Sequence, residues 1–145
     1  MMLVQTTRFG ELEAAENEII TFPQGILGFE AVKEYILLEG SGSFRFLQAV
    51  GEPDLTFVVI DPRDIVRDYK AEVPTHEVEE IGVTRPEEAV ILAIATVPGD
   101  VRKMTVNLQA PLVINAVNRR GKQIVLADQG YAMRHPVFGT MEETA

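Results

Sequence analysis

Side chains that could act as nucleophiles or general bases are few in this sequence. Its two serines, Ser41 and Ser43, share a glycine-containing turn, and its two histidines, His76 and His135, lie far apart along the chain. Neither serine occupies a G-x-S-x-G motif, which would place it on a strand-to-helix elbow. The chain has no cysteine, which excludes thiol chemistry and disulfides. We therefore predict that both serines are turn residues and that the protein is not an enzyme.

The spacing of potential ligands gives no metal or cofactor motif either. With two histidines and no cysteine, any further metal ligands would have to be carboxylates, and no H-x-x-x-H or D-x-D-x-D-G spacing occurs. The phosphate-binding patterns G-x-G-x-x-G and G-x-x-x-x-G-K-S/T are also missing. Gly25 and Gly28 are three residues apart, but no helical segment follows them. The sequence predicts no bound metal and no cofactor.

The chain is acidic, with 22 Asp and Glu against 13 Lys and Arg and a formal net charge of −9 at pH 7. An acidic surface repels phosphate backbones, so direct binding of nucleic acid is disfavoured. The charge either keeps the protein in solution or forms a face for a basic partner protein. Residues 72–88 are the most acidic part of the chain. Glu77, Glu79 and Glu80 are candidate partner-binding residues there, with a solvated face as the alternative interpretation.

No feature of the sequence directs the chain to a membrane. No apolar run approaches the roughly 20 residues that span a bilayer. The first residues, MMLVQTTRFGELEAAE, lack the basic and apolar regions of a signal peptide. We expect a cytoplasmic protein that is a monomer when no partner is bound.

Alternation of apolar and polar residues, with turn residues between segments, predicts mostly β-strands. The predicted strands are residues 2–8, 10–14, 17–22, 33–38, 44–50, 55–60, 89–97, 101–110, 112–117 and 122–127. Short connections favour antiparallel neighbours. Residues 61–89 form a helical insert, with one short helix around Ile65, Val66 and Tyr69 and a second opened by Pro74 and Thr75. We predict a mainly β, single-domain, antiparallel β-barrel-like fold over 1–145, with a loosely docked tail from about residue 128.

The insert leaves one alternative fold class open. The segments on either side of it, residues 55–60 and 89–97, are nearly continuous apolar runs, as in strands buried on both faces. A strand, a helical crossover and a second buried strand also fit a βαβ unit and hence an α/β sheet. We favour the barrel-like fold, because the helical pieces are short and the strand–helix–strand pattern does not repeat.

The stretch TVNLQAPLVINAVNRRGKQIVL, residues 105–126, is regular but carries no catalytic side chain. Apolar residues keep one two-residue phase through Pro111, which predicts a long strand bent at that proline. Gly121 then closes a hairpin by supplying the positive φ that follows a type I turn. The polar face of this hairpin is either solvated or pairs with another chain. Its candidate partner-binding residues are the amides Asn107, Gln109, Asn115 and Gln123.

Seven segments of the chain together resemble the FliW family of flagellar assembly factors. They are RFGELE (8–13), ITFPQGILGFE (20–30), FRFLQAV (44–50), LTFVVIDP (55–62), TVNLQAPLVIN (105–115), RRGKQIVL (119–126) and YAMRHPV (131–137). They occur in the family's order and cover nearly the whole chain. The FPxGxxGFE, VNLxAPxVIN and GxQ patterns taken together are highly specific. The resemblance implies a β-barrel with small helices, as the alternation also predicts.

The resemblance further implies a non-enzymatic, cytoplasmic regulator of flagellin supply. FliW-like proteins bind and allosterically antagonise CsrA, an RNA-binding translational repressor, and they also bind flagellin. Free flagellin occupies the FliW-like protein, so that CsrA is released and represses flagellin translation, and secretion of flagellin reverses the switch. CsrA and flagellin are therefore the partners that the resemblance predicts.

A small-molecule-binding β-barrel of unknown ligand is the alternative function. Barrel mouths can hold ligands, but such a site needs a deep pocket with converging polar groups, and the sequence offers no clear set. A barrel filled with its own side chains would count against this alternative.

Overall fold

The computed structural model describes residues 1–138 and is built mainly from short β-strands. The strands in this range are β1 (Met2–Thr6), β2 (Gly10–Ala14), β3 (Ile19–Thr21), β4 (Glu34–Glu39), β5 (Arg45–Ala49), β6 (Thr56–Ile60), β7 (Ala89–Thr96), β8 (Thr105–Val106), β9 (Leu112–Asn115), β10 (Gly121–Gln123) and β11 (His135–Pro136). The α-helix α1 (Thr75–Glu79) lies inside the predicted insert. No helix within residues 1–138 has the length and apolar character needed to cross a membrane.

Nine of the strands form one sheet whose two ends come together. Its order is β10-β9-β7-β6-β5-β4-β3, with β8 beside β7 and β11 beside β8. The N–H of Thr21 in β3 donates to the carbonyl of Arg119, just before β10, at 2.9 Å. One parallel bridge, between Thr21 and Arg120, therefore joins the ends. The sheet curls like a barrel without a full ladder at the closure, and the predicted mainly β, antiparallel fold is confirmed.

The sheet buries side chains on both of its faces. The inner cluster takes residues from strands all around the sheet and from the loop after β3, and it fills the inside of the barrel: Ile20, Phe22, Ile26, Tyr35, Leu47, Ala49, Val59, Leu92, Leu112 and Ile114. The outer cluster uses the adjoining residues Ile60, Ala93 and Val113. Because successive strand residues point to opposite faces, a strand covered on both sides needs a continuous apolar run. This explains the runs LTFVVI and AVILAIATV.

The insert between β6 and β7 covers the outer cluster. It contributes Tyr69, Ile81 and Val83 to that cluster. β6 pairs with β7 in the antiparallel sense, so the insert is not the crossover of a βαβ unit, which joins parallel strands. The helix predicted around Ile65 is wrong: only a 3₁₀ turn, Pro62–Asp64, forms there. The second helix begins where predicted, with Pro74 at its N-cap.

The predicted long strand 101–110 is interrupted. Its first part is a 3₁₀ turn, Val101–Lys103, and its strand portion is only the two residues of β8. Val106 pairs with Ala95 of β7, and Leu112 pairs with Leu92, so residues 107–111 bulge opposite two residues of β7. Pro111 cannot donate a ladder hydrogen bond, which explains the break. The bulge still buries Leu108 and Ala110, so the alternation predicted burial correctly but not hydrogen bonding.

The turn between β9 and β10 does not use Gly121 as predicted. The positive φ in this turn belongs to Arg119, at 61°. Gly121 is required by packing instead, since a Cβ built on it would lie 2.6 Å from Cε2 of Phe22. Phe22 is fully buried in the inner cluster. The glycine allows β10 to approach the Phe22 ring, which no larger residue would permit.

The last described residues, 128–138, pack against the insert and β8. The ring of Tyr131 lies 4.5 Å from that of Tyr69, and its hydroxyl accepts from the N–H of Lys70 at 2.9 Å. The side chain of Gln129 bonds both backbone groups of Glu72. Residues 128–138 are thus held in place, in contrast to the loosely docked tail expected from the sequence, and residues 139–145 lie outside the described part.

Candidate functional site

Three of the segments singled out in the sequence meet where the barrel closes. We call this region the seam and define it as residues 21–30, 110–111 and 119–123. The side chain of Gln123 joins its parts, because its Oε1 accepts from the N–H of Leu27 at 2.8 Å. Its Nε2 donates to the carbonyl of Ala110 at 3.1 Å. Gln123 was predicted to bind a partner, but both the oxygen and the nitrogen of its side-chain amide form hydrogen bonds within the seam.

The loop from Phe22 to Glu30 is fixed by close backbone contacts. Gly25 has φ near 71°, and a Cβ built on it would lie 2.5 Å from Cα of Glu30. Glu30 accepts a hydrogen bond from the N–H of Gly28 at 2.9 Å, and this bond lowers the pKa of the Glu30 carboxyl. Because glycine is needed at Gly25 for both conformation and space, the motif FPQGILGFE encodes one loop geometry.

This fixed loop presents two apolar side chains to solvent. Leu27 is 69% exposed and Phe29 is 43% exposed. The Phe29 ring stacks edge-to-face on Phe57, with 5.3 Å between centroids, so its orientation is set by the barrel wall. Neither residue was picked out from the sequence, where both read as ordinary apolar positions. A sequence signal that could have found them is indirect: the glycines Gly25 and Gly28 on either side of Leu27.

Asn107 and Gln109 lie in the bulge and have different roles. The side-chain oxygen of Asn107 accepts from the N–H groups of Gln109 and Ala110, at 3.1 and 3.0 Å. It therefore satisfies backbone groups that the bulge removes from the ladder. Gln109 is half-buried, and its backbone carbonyl accepts from Leu126 at 2.7 Å. Of the two, Gln109 has a side chain that makes no hydrogen bond within residues 1–138.

Asn115 is buried and used inside the protein. Only 2% of it is exposed, and its oxygen accepts from the N–H of Val117 at 2.8 Å and of Asn118 at 3.3 Å. Its nitrogen donates to the carbonyl of Ile81 in the insert at 3.0 Å. The structure places this predicted partner-binding residue as a brace between the turn after β9 and the insert.

Two of the three candidate acids are paired with a lysine that the sequence did not single out. The ammonium of Lys122 lies 2.8 Å from Oε2 of Glu77 and also contacts Glu80, while only 9% of the lysine side chain is exposed. Burial acts to lower the pKa of Lys122, but hydrogen bonds to the two carboxylates outweigh it and the pKa is raised. The same contact lowers the pKa of Glu80. Glu79 is exposed and has no such partner among the described residues.

The residues considered for catalysis are not gathered into a site. Within residues 1–138, no group of three or more His, Asp or Glu side chains is arranged to hold a metal ion. His76 is an exposed residue of α1 beside Glu77, with 3.4 Å between Nε2 and Oε1. His135 lies in β11, paired with Val106. The arrangement of the seam suits binding, because it displays fixed apolar side chains on a stable barrel.

The fold and the seam together define a class: a small, mainly β, barrel-like protein whose sequence motifs join chain segments around an exposed loop. Comparison with known proteins identifies the family. The model of the FliW protein family matches residues 3–137. The chain therefore belongs to the FliW family.

Relatives and a solved structure agree with this assignment. The flagellar assembly factor FliW of Natranaerobius thermophilus is 44% identical over 140 residues, covering 94% of this chain and 93% of that protein. The protein of the same name from Geobacter sulfurreducens is 41% identical over 139 residues, covering 94% and 87%. A crystal structure of the flagellar assembly factor FliW superposes with a TM-score of 0.91 at 34% identity, covering 97% of this chain and 99% of the other.

Proposed function

We propose that this chain regulates flagellin supply as a non-enzymatic binding protein that antagonises CsrA and binds flagellin in turn. Membership of the FliW family supports a role in flagellar assembly, since the relatives carry that name. The exchange of partners is the more specific part of the proposal. It takes place in the cytoplasm, where flagellin is translated.

The observation that carries the proposal is the family match over residues 3–137, together with what the matching segments do in the fold. Three of them converge on the seam, where the side chain of Gln123 forms hydrogen bonds with backbone groups and does not belong to a reactive centre. This supports a function in which the protein binds a partner through a surface of defined shape and catalyses no reaction.

The charge of the chain supports CsrA as one partner. A net charge of −9 attracts a basic RNA-binding protein, and such complementarity speeds association. Alternate occupation by flagellin requires that the two partners disfavour each other, through overlapping sites or a coupling free energy of about 1–3 kcal/mol.

A competition experiment tests this function. Purified chain is immobilised and exposed to CsrA, to flagellin and to both, and bound protein is measured at low and high salt. We expect each partner to bind alone, flagellin to displace CsrA, and CsrA binding to weaken as salt rises. Failure of either partner to bind the folded chain would refute the proposal. Simultaneous, unaltered binding of both would refute the exchange.

Among the seven candidate interface residues, Gln109 and Glu79 are the most suitable for testing by substitution. Their side chains make no hydrogen bond within residues 1–138, so Gln109→Lys and Glu79→Lys report on partners with little effect on folding. Asn107→Lys would instead remove the side chain that holds the bulge. We expect Glu79→Lys to weaken CsrA binding if the acidic insert is an interface, and unchanged affinity would remove it as a candidate.

The small-molecule alternative lacks support from the barrel interior. Its inner cluster consists of large side chains with almost no exposed surface, among them Phe22, Tyr35 and Leu92. Side chains that pack in this way occupy the volume that a ligand would need.

A further inference from the structure

A groove runs beside the exposed loop of the seam. It has a volume of about 530 Å³ and lies between residues 28–32 and the turn 52–55. Its apolar lining is Phe29, Ala31, Val32 and Leu55, and its acidic lining is Glu30, Glu52 and Asp54. Among residues 1–138, no Lys or Arg side chain lines it. An apolar floor with acidic edges is a surface for a ligand that is both apolar and basic.

The walls of the groove are held in position before any partner arrives. Phe29 is stacked on Phe57, and Glu30 is bonded to the backbone of its own loop. On the other wall, the hydroxyl of Thr7 donates to the carboxylate of Asp54. The N–H of Thr7 donates to the carbonyl of Pro53 at 2.9 Å. A surface that is already ordered loses little entropy on binding.

We propose that this groove docks a segment of a partner protein in which an apolar side chain is flanked by Lys or Arg. The apolar side chain packs on Phe29 and Leu55, and the flanking cations face Glu30, Glu52 and Asp54. The choice of occupant follows from charge complementarity, because the lining, as far as the described residues form it, holds three carboxylates and no cation. A purely apolar segment would gain nothing from the negative charge of the lining, and an acidic one would be repelled.

The inference rests on the proposed function, because its test uses CsrA, the basic partner proposed above. Two variants of the groove are compared with one control. Phe29→Ala removes the aromatic wall, and Glu52→Lys reverses an exposed charge whose side chain makes no hydrogen bond within residues 1–138. The control, Glu39→Lys, makes the same charge change at an exposed site at the far end of β4, away from the groove.

Affinity for CsrA is measured by calorimetry with the full chain, and thermal unfolding verifies that each variant is folded. We expect Phe29→Ala to weaken binding about tenfold or more, as aromatic anchors do. Glu52→Lys should weaken it several-fold more than Glu39→Lys and reduce its salt dependence. Since Glu52 is a surface residue, the comparison of Glu52→Lys with Glu39→Lys tests the groove even if Phe29→Ala unfolds.

The possible outcomes separate the groove from the proposed function. If wild-type protein binds CsrA and Glu52→Lys behaves like Glu39→Lys, the groove assignment is overturned while the function stands. If wild-type protein does not bind CsrA, the proposed function itself fails. Light scattering on the same samples addresses a second copy of this chain as the occupant. A wild-type dimer that Phe29→Ala converts to monomer would overturn the assignment to a partner protein.

Discussion

Replacing Gly121 by alanine tests whether this glycine is needed for space or for backbone conformation. A Cβ at Gly121 would lie 2.6, 2.9 and 3.1 Å from Cε2, Cζ and Cδ2 of Phe22. The ring cannot withdraw easily, because it is fully buried and meets Tyr35 edge-to-face at 5.6 Å. Overpacking of this kind costs about 1–3 kcal/mol. The loss of a glycine from the unfolded chain offsets about 0.4–1 kcal/mol, so we expect a net loss of stability of up to about 2.6 kcal/mol.

Gly99→Ala is the matched control. Gly99 is exposed, its φ lies outside the left-handed region, and a Cβ there would meet nothing within 4 Å. This variant shares the unfolded-state effect of Gly121→Ala but not the clash. We therefore expect it to be about 0.4–1 kcal/mol more stable than the wild type. The free energy of unfolding is measured by urea titration of all variants, and the difference between the two alanine variants gives the steric cost.

Two further variants distinguish the explanations. Gly121→Asn would be tolerated if the position required a positive φ, since Asn adopts that conformation more readily than other residues. It clashes as alanine does if Phe22 is the reason. Phe22→Leu should lower the cost of Gly121→Ala, a coupling that only the steric explanation predicts. If the free energies of unfolding of Gly121→Ala and Gly99→Ala agreed within about 0.5 kcal/mol, the packing argument would be refuted.

Three other predictions follow from buried polar groups. The hydroxyl of Tyr35 is buried, which raises its pKa to about 12, and it has no hydrogen-bond partner within residues 1–138. Tyr35→Phe should therefore raise stability by about 1 kcal/mol, and a loss of that size in urea unfolding would show that the hydroxyl is bonded. Asn115→Ala should cost about 2–3 kcal/mol, because it leaves buried backbone groups unpaired; a cost below about 0.5 kcal/mol would contradict its role as a brace. Lys122 lowers the pKa of Glu80. The ion pair therefore stabilises the folded state at pH values above the usual carboxyl pKa, and this stabilisation is lost as pH falls through the lowered pKa. Unfolding at neutral and acid pH should show the difference between wild type and Lys122→Met shrinking in acid, and a constant difference would contradict the pairing.

Local patterns in the sequence predict much of this fold, because they reflect local physics. Alternation of side chains places residues on faces, so the strands and the burial of Leu108 and Ala110 follow from it. Alternation does not report which backbone groups pair across strands. The bulge at 107–111 keeps the same burial while leaving the ladder, so it was predicted as a strand.

The candidate site was less predictable, because it depends on contacts between distant segments. The pairing of Lys122 with Glu80 joins residues 42 positions apart, and the bond from Gln123 to Leu27 joins residues 96 apart. Three of the four amides chosen for their polarity, Asn107, Asn115 and Gln123, are bonded to backbone groups, which is where most side-chain hydrogen bonds go. The apolar Leu27 and Phe29 gave no periodic signal of their own, since a loop has no period.

The positions of the family motifs give a reason for their composition. Phe22, Gly25, Gly121 and Gln123 do not present a surface; each fixes the path of the loop that presents Leu27 and Phe29. Exposed apolar side chains on a mobile loop would lose conformational entropy on binding and would invite non-specific contacts. The same side chains on a fixed loop bind at lower entropic cost and only to a partner of matching shape. A substitution at a motif residue should therefore weaken partner binding through loss of loop order, even where it removes no contact with the partner.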